Sequence, residues 1–192
     1  MTDTTTDRYL PPVRIQVLTA AHAPLYKPLR LQALRCFPDA FTSDYATAVN
    51  QPAEAYAARF TDPATGSFFL GAFDAAGGLV GSIGCEREQR PQQRHNALVV
   101  AMMVAPAAQR HGVGRQLIDA CVARAEAVPG LEQLTLTVTA SNTHVVRLYE
   151  RAGFSAYGLL PRGIVVAGIG YDKLHMVRLL RASPLHPSNA TQ

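Results

Sequence analysis

One stretch constrains this chain more than any other. An apolar run, ALVVAMMV (Ala97 to Val104), passes through Ala105 and Pro106 into AAQRHGVGRQLI (Ala107 to Ile118), where Gly112 and Gly114 stand at the head of an apolar helical repeat. The run is apolar at every position, which predicts a central strand covered on both faces. Behind the glycines, Val113, Leu117, Ala120, Cys121 and Val128 fall on one helical face, and Arg115, Asp119 and Glu126 on the other. Pro129-Gly130 stops that helix, and LTLTV (Leu134 to Val138) reads as a further strand. Strand, helix, strand implies a right-handed crossover between parallel neighbours.

Strand and helix patterns surround this unit. VRIQVL (Val13 to Leu18) alternates as a strand, and Pro24 and Pro28 suit the first turns of a helix whose stripe is Leu25, Leu29, Ala33 and Cys36. Phe37-Pro38-Asp39 ends it, and a second helix is expected from Pro52 to Phe60. SFFLGAF and GLVGSIGCERE are joined by Asp74 to Gly78, a link of hairpin length. In SNTHVVRLYERAGF, Ser141 or Asn142 suits a helix cap, the stripe is Val145, Leu148, Tyr149 and Ala152, and Gly153 suits the C-terminal cap. Strand-like segments close the chain near Phe154 to Leu160 and Tyr171 to Leu179. The expectation is one α/β (α+β) domain over 13–180, a mixed sheet with two helices before its core and two inside it, between flexible tails at 1–12 and 181–192.

With 192 residues, 48% of them hydrophobic, such a domain buries a core without disulfides or metal. Cys36, Cys85 and Cys121 are widely spaced and read as buried free thiols. The six histidines form no metal-binding pattern. The net charge of +4 comes from scattered residues without basic runs, so no nucleic-acid partner is expected. The apolar runs fall short of the roughly 20 residues that span a bilayer. The polar N-terminus lacks a signal-peptide pattern, so a cytoplasmic protein is expected.

A glycine turn leading from a strand into a helix aims unpaired N–H groups at the positive end of the helix dipole, which makes an anion site. Gly112 and Gly114 remove the Cβ atoms that would keep a phosphate away, and Arg110, His111 and Arg115 add cations. The turn lacks the GxxxxGK[ST] of an NTP loop, and Leu117 stands where a dinucleotide fingerprint needs a small residue. It does meet Q/R-x-x-G-x-G/A through Gln109, Gly112 and Gly114. SNTHVVRLYERAGF is similar to N-x-x-A-x-x-x-Y-x-x-x-G-F through Asn142, Tyr149, Gly153 and Phe154, with Val145 in place of alanine. LRLQALRCFPDAF (Leu29 to Phe41) is similar to the first helix of one subset of the same group. On these motifs the chain, over about Val13 to Arg178, resembles the GNAT superfamily of CoA-dependent N-acyltransferases.

The resemblance implies a mostly antiparallel mixed sheet flanked by about four helices, with one splayed parallel strand pair. It implies acetyl-CoA as co-substrate, no metal, and direct transfer to a primary amine in a ternary complex. Pantetheine would lie along Met102, Met103 and Val104, with Asn142 facing it. The pyrophosphate would rest on the amides of Arg110, His111, Gly112, Val113 and Gly114, beside Gln109 and Arg115. Tyr149 would touch the cofactor and give a proton to the departing thiolate, while a strand N–H near Met103 or Val104 would meet the oxyanion.

For the base, Glu86 and Glu88 share one strand face, Glu86 being the first choice, and His95 is a further candidate. ALVVAMMV carries no carboxylate, which motivates a second expectation, an acyl-CoA-binding sensor without catalysis. The acceptor is expected to be a small-molecule amine ahead of a peptide one, and a homodimer is left open. Specificity is expected from Phe37 to Ala58, from Gln89 to Asn96, and from a glycine-rich turn at Pro161 to Tyr171.

Overall fold

Each half of the chain delivers strands to one sheet. The elements run β1 (Arg14–Val17), α1 (Ala23–Cys36), α2 (Tyr45–Asn50), α3 (Glu54–Phe60), β2 (Thr61–Asp62), β3 (Ser67–Phe73), β4 (Leu79–Arg87), β5 (Asn96–Val104), α4 (Val113–Glu126), β6 (Gln133–Thr139), α5 (Thr143–Arg151), β7 (Ser155–Val166) and β8 (Ile169–Leu179). The structure, a computed structural model, describes residues 13–62 and 65–180, and the expected tails lie outside the described residues. Among the described residues the strands form one eight-stranded sheet in the order β1-β3-β4-β5-β6-β8-β7, with β2 paired to β3. Its pairs are antiparallel except β5 with β6, the expected parallel pair.

Period-two alternation sorts the sheet into two faces. On β3, Phe68, Leu70 and Ala72 join one core with α4 and α5, while Phe69 and Phe73 join another with α1 and α3. In the first core Leu117, Ile118 and Cys121 of α4 are fully buried. At about 1.5 to 3 kcal/mol for each large apolar side chain, this stripe holds α4 to the sheet, and Leu117→Ala would cost about 2 to 5 kcal/mol.

A bulge exchanges the two faces along β5. Ser82 pairs with Met103 and Gly84 with Val100, so Ala101 and Met102 together oppose Ile83. Ala101 adopts φ +51°, left-handed for a residue with a side chain. Before the bulge Ala97 and Val99 face α4; after it Met102 and Val104 do, and Met103 turns into the core under α1. An uninterrupted strand would have sent Met103 the other way.

Several expectations are corrected. The buried face of α1 is Tyr26, Leu29, Arg30, Ala33 and Leu34, whereas Leu25 and Cys36 are exposed, so the stripe is rotated from the one read in sequence. Pro28 lies inside α1 and not in its first turn. A third early helix, α2, is present; it is too short to show a full apolar period, although Asp44 caps it by accepting from Thr47 N. The last pair of strands is longer than expected: β7 and β8 run continuously to a turn at Ala167-Gly168, both with positive φ. Pro161 and Gly163 therefore sit within β7, an edge strand, where a missing N–H is tolerated. Finally, β5 is not covered on both faces along its length, since Leu98 is 39% exposed. No helix among the described residues is long and apolar enough to cross a membrane.

Candidate active site

The parallel pair is short. β5 and β6 are in register only through Asn96 with Gln133, Ala97 with Leu134 and Leu98 with Thr135. Beyond these, β6 stays paired to β8 as far as Thr139, and β5 stays paired to β4 as far as Val104. Their facing edges, from Val100 on β5 and Leu136 on β6, are unpaired with each other and leave a wedge-shaped gap. Backbone N–H and C=O groups left along such edges suit an extended ligand that adds to the sheet. Met102, Met103 and Val104 lie on the β5 side of this gap.

The glycine turn leads from the end of that edge into α4. Gly112 is its N-cap with φ +77°, and no side chain caps the helix, so the first-turn amides are left for solvent or a ligand. Arg110 also takes a left-handed φ, +66°. That conformation costs an arginine about 1 kcal/mol and is held by its surroundings. Gln109 Nε2 donates to the Val104 carbonyl at 3.1 Å and ties the turn to the strand.

Gly114 faces the junction of three elements. A Cβ there would meet Met102 Cε at 3.3 Å and Leu148 Cδ2 at 3.4 Å, so glycine lets α4 approach β5 and α5 closely. Arg110, His111 and Gly112 are exposed, and Val113 is buried. Arg115 is paired with Asp119 at 2.6 Å and donates to the Arg151 carbonyl at 3.2 Å, so its charge is already engaged. Uncapped amides, a glycine cradle and an adjoining strand edge fit a phosphate-bearing acyl carrier such as acetyl-CoA.

Tyr149 lies on the same face of the sheet, buried in the core with α4 and packed edge-on against Phe154 at 5.9 Å between centroids. Burial first, and then the nearby Cys121, hold its phenol well above the ordinary value, so it keeps its proton at neutral pH. Asn142 caps α5, its side-chain oxygen accepting from Val145 N at 3.3 Å. The Cys121 thiol, beside Cys85 and buried, is pushed far up and is no nucleophile.

Glu86 is on the opposite face, toward α3, where its Oε1 accepts from Arg59 Nε at 3.0 Å and Nη2 at 2.7 Å. Glu88 lies exposed beyond the end of β4. His95 precedes β5, at the end of the strand away from the gap, and its carbonyl accepts from Glu132 N and Gln133 N. Among the described residues no cluster of three His, Cys, Asp or Glu could hold a metal ion.

Sequence reading missed a second set of residues on the Glu86 face. Ser82, fully buried, donates to the Ala101 carbonyl at 3.0 Å inside the bulge, and Tyr26 of α1 reaches this serine. One turn further along α1, Arg30 is 8% exposed and lies over the Phe41 ring at 4.5 Å. Beyond it the segment carrying Asp39 and Ala40 is clamped to the sheet. Lys173 of β8 donates to both carbonyls, at 3.4 and 3.2 Å, and to Thr139 Oγ1 at 2.9 Å, while that hydroxyl donates to Asp39 O at 2.6 Å. Burial lowers the Lys173 ammonium, partly offset by Asp39. Arg30 interrupts the apolar face of α1, a signal visible only once the phase of that helix is known.

A sequence model of one family, described as Acetyltransferase (GNAT) family, matches residues 30–154, which include the bulged strand, the glycine turn and α5. The chain belongs to the GNAT acetyltransferase family. Solved GNAT structures share its fold. An acetyltransferase from Streptococcus pneumoniae superposes with a TM-score of 0.75 at 21% identity, over 88% of this chain and 99% of that one. A GNAT phosphinothricin acetyltransferase from Sinorhizobium meliloti, solved in complex with AcCoA, gives 0.75 at 19% identity, over 93% and 95%. By sequence, the chain is 37% identical to a mycothiol acetyltransferase of Salinispora tropica over 89 residues, 46% of this chain and 29% of that protein. The chain thus matches less than a third of the length of that relative.

Proposed function

We propose that this protein is an N-acetyltransferase that moves an acetyl group from acetyl-CoA to a primary amine by direct transfer. One observation carries the reading: the uncapped glycine turn and buried Tyr149 share one face of the sheet that the β5/β6 gap interrupts, with Glu86 on the other. The thioester comes from acetyl-CoA. Met102, Met103 and Val104 offer strand edges to its pantetheine arm, and the amides of Arg110 to Gly114 take its pyrophosphate, with Gln109 bracing the turn. Arg110 is the cation best placed to add to this site, since Arg115 is engaged by Asp119.

The acceptor nitrogen forms a bond to the acetyl carbon as the carbon–sulfur bond breaks. The thiolate takes the Tyr149 proton, which is later replaced from solvent, and the amine loses a proton through water to Glu86. A β5 N–H near Met103 or Val104 meets the carbonyl oxygen as charge develops on it. Buried Cys121 takes no part.

The part-sequence likeness to a mycothiol acetyltransferase supports a small-molecule acceptor ahead of a peptide. Exposed Tyr157, Leu159, Leu160, Val165 and Ile169 on the β7–β8 hairpin support a homodimer, which sedimentation would test.

The decisive experiment is thiol release from acetyl-CoA across a panel of amines. Turnover that persists in Cys121→Ser and falls by about 10² or more in Tyr149→Phe is expected. Acetyl-CoA binding with no turnover on any amine would instead identify a sensor.

A further inference from the structure

Under α1, on the acceptor's face of the sheet, a buried positive charge has no counter-ion among the described residues. Arg30 Nη1 is buried and has no hydrogen-bond partner among the described residues. The groups that act on this guanidinium are Tyr26, Tyr56 and Arg59, none of which supplies negative charge at neutral pH. Glu86, on the same face, is paired with Arg59 at 2.7 Å. Among the described residues, two cations against one anion leave the cluster short of one negative charge. A buried guanidinium without a partner is costly, and proteins keep such a group where a ligand completes it.

Its position is specific. On one side of Arg30, Tyr26 leads through Ser82 to the bulged carbonyl of Ala101 on β5. On the other, the Phe41 ring that it covers follows the Asp39-Ala40 segment, which Thr139 and Lys173 clamp to β6 and β8. Arg30 therefore lies under α1 between a residue tied to β5 and a segment tied to β6 and β8. Tyr149 and the glycine turn occupy the other face of the sheet. An acceptor approaching from the α1 face would bring its amine to the gap and its remaining groups to Arg30.

We infer that the acceptor carries an anionic group close to its amine, a carboxylate or a phosphonate, and that Arg30 binds it and sets acceptor specificity. This rests on the acetyltransferase reading above. A planar guanidinium matches a carboxylate or phosphonate through paired N–H donors, and Phe41 holds its plane. The Tyr56 hydroxyl adds an uncharged donor to the same site.

The test compares matched acceptors with the full-length protein and acetyl-CoA: proteinogenic amino acids, their α-carboxamides, their decarboxylated amines, and aminoalkylphosphonates. The wild-type protein is expected to favour a carboxylate or phosphonate acceptor over its neutral counterpart by about tenfold to hundredfold in kcat/KM. The two anionic series separate the two sources. Arg30→Gln should erase that preference, chiefly through KM, while leaving acetyl-CoA affinity and turnover of neutral amines within a few-fold. Arg30→Lys should restore part of it.

A wild-type preference for neutral or cationic amines would overturn the inference without touching the acetyltransferase reading, and needs no variant to fold. Equal losses on anionic and neutral acceptors in Arg30→Gln would do the same. Absence of both acetyl-CoA binding and turnover would overturn both.

Discussion

Ser82 Oγ donates to the carbonyl oxygen of Ala101 at 3.0 Å, joining β4 to the one residue of β5 whose left-handed backbone makes the bulge. Without this bond a buried carbonyl loses its partner and the bulge loses a restraint. Ser82→Ala should cost about 1 to 3 kcal/mol in denaturant melts. Because the bulge re-aims Met102 to Val104, kcat/KM should fall by more than acetyl-CoA affinity. A variant of unchanged stability and unchanged kcat/KM would show that the bulge holds itself.

The two glycines of the turn should fail for different reasons. At Gly112 nothing lies within 4 Å of where a Cβ would stand, but φ is +77°, so Gly112→Ala should cost about 1 kcal/mol through strain alone. At Gly114 the first obstacle is the flexible end of Met102, so alanine should be tolerated, whereas Gly114→Val should force α4 away from Leu148 and abolish acetyl-CoA binding. Calorimetric titration with acetyl-CoA and thermal melts separate the two effects.

Much of this arrangement was legible in the chain because local chemistry and tertiary role agree. Gly112 and Gly114 announce their turn, and the Val113 to Val122 stripe announces α4. The bulge was not legible, since its left-handed residue is an alanine and nothing marks Ala101 among its apolar neighbours. Nor was the β7–β8 turn: Pro161 and Gly163 carry turn chemistry within a strand, while the true turn, Ala167-Gly168, follows an ordinary valine. The acceptor-side cluster was hidden because Arg30 interrupts an apolar face only when the helix phase is known. The rotation of α1 that buries Arg30 and exposes Leu25 is set by packing against β4 and α3.

Glu86 and Arg59 form an ion pair at 2.7 Å with side chains 36% and 45% exposed. Such a pair contributes about 0 to 1 kcal/mol, so Glu86→Gln should leave the melting curve nearly unchanged. If this carboxylate accepts the amine's proton, kcat/KM should nevertheless fall by about 10². An unchanged kcat/KM would remove Glu86 from the mechanism.

Tyr149 also predicts an alkaline limit to stability. Its phenol is raised from an ordinary value near 10 by burial and by Cys121. The unfolded chain loses that proton from about pH 10 upward while the folded chain keeps it, so stability is intact below about pH 10 and declines above it. The slope attributable to this one group approaches about 1.4 kcal/mol per pH unit. Tyr26, also raised by burial, contributes in the same direction. Urea melts at about pH 9 and about pH 11 should therefore show a smaller loss in Tyr149→Phe than in the wild type. Equal losses would mean that Tyr149 ionises as it does in the unfolded chain.

The central claim is that one acetyl-CoA lies across the glycine turn and into the gap between β5 and β6. Backbone amide shifts recorded while acetyl-CoA is titrated into the isotopically labelled protein test it most directly. The amides of Arg110 to Arg115 and of Ala101 to Val104 should move together and saturate at one equivalent, with those of β7 and β8 far less affected. Saturable binding that leaves both segments unmoved, or no binding at all, would contradict the account.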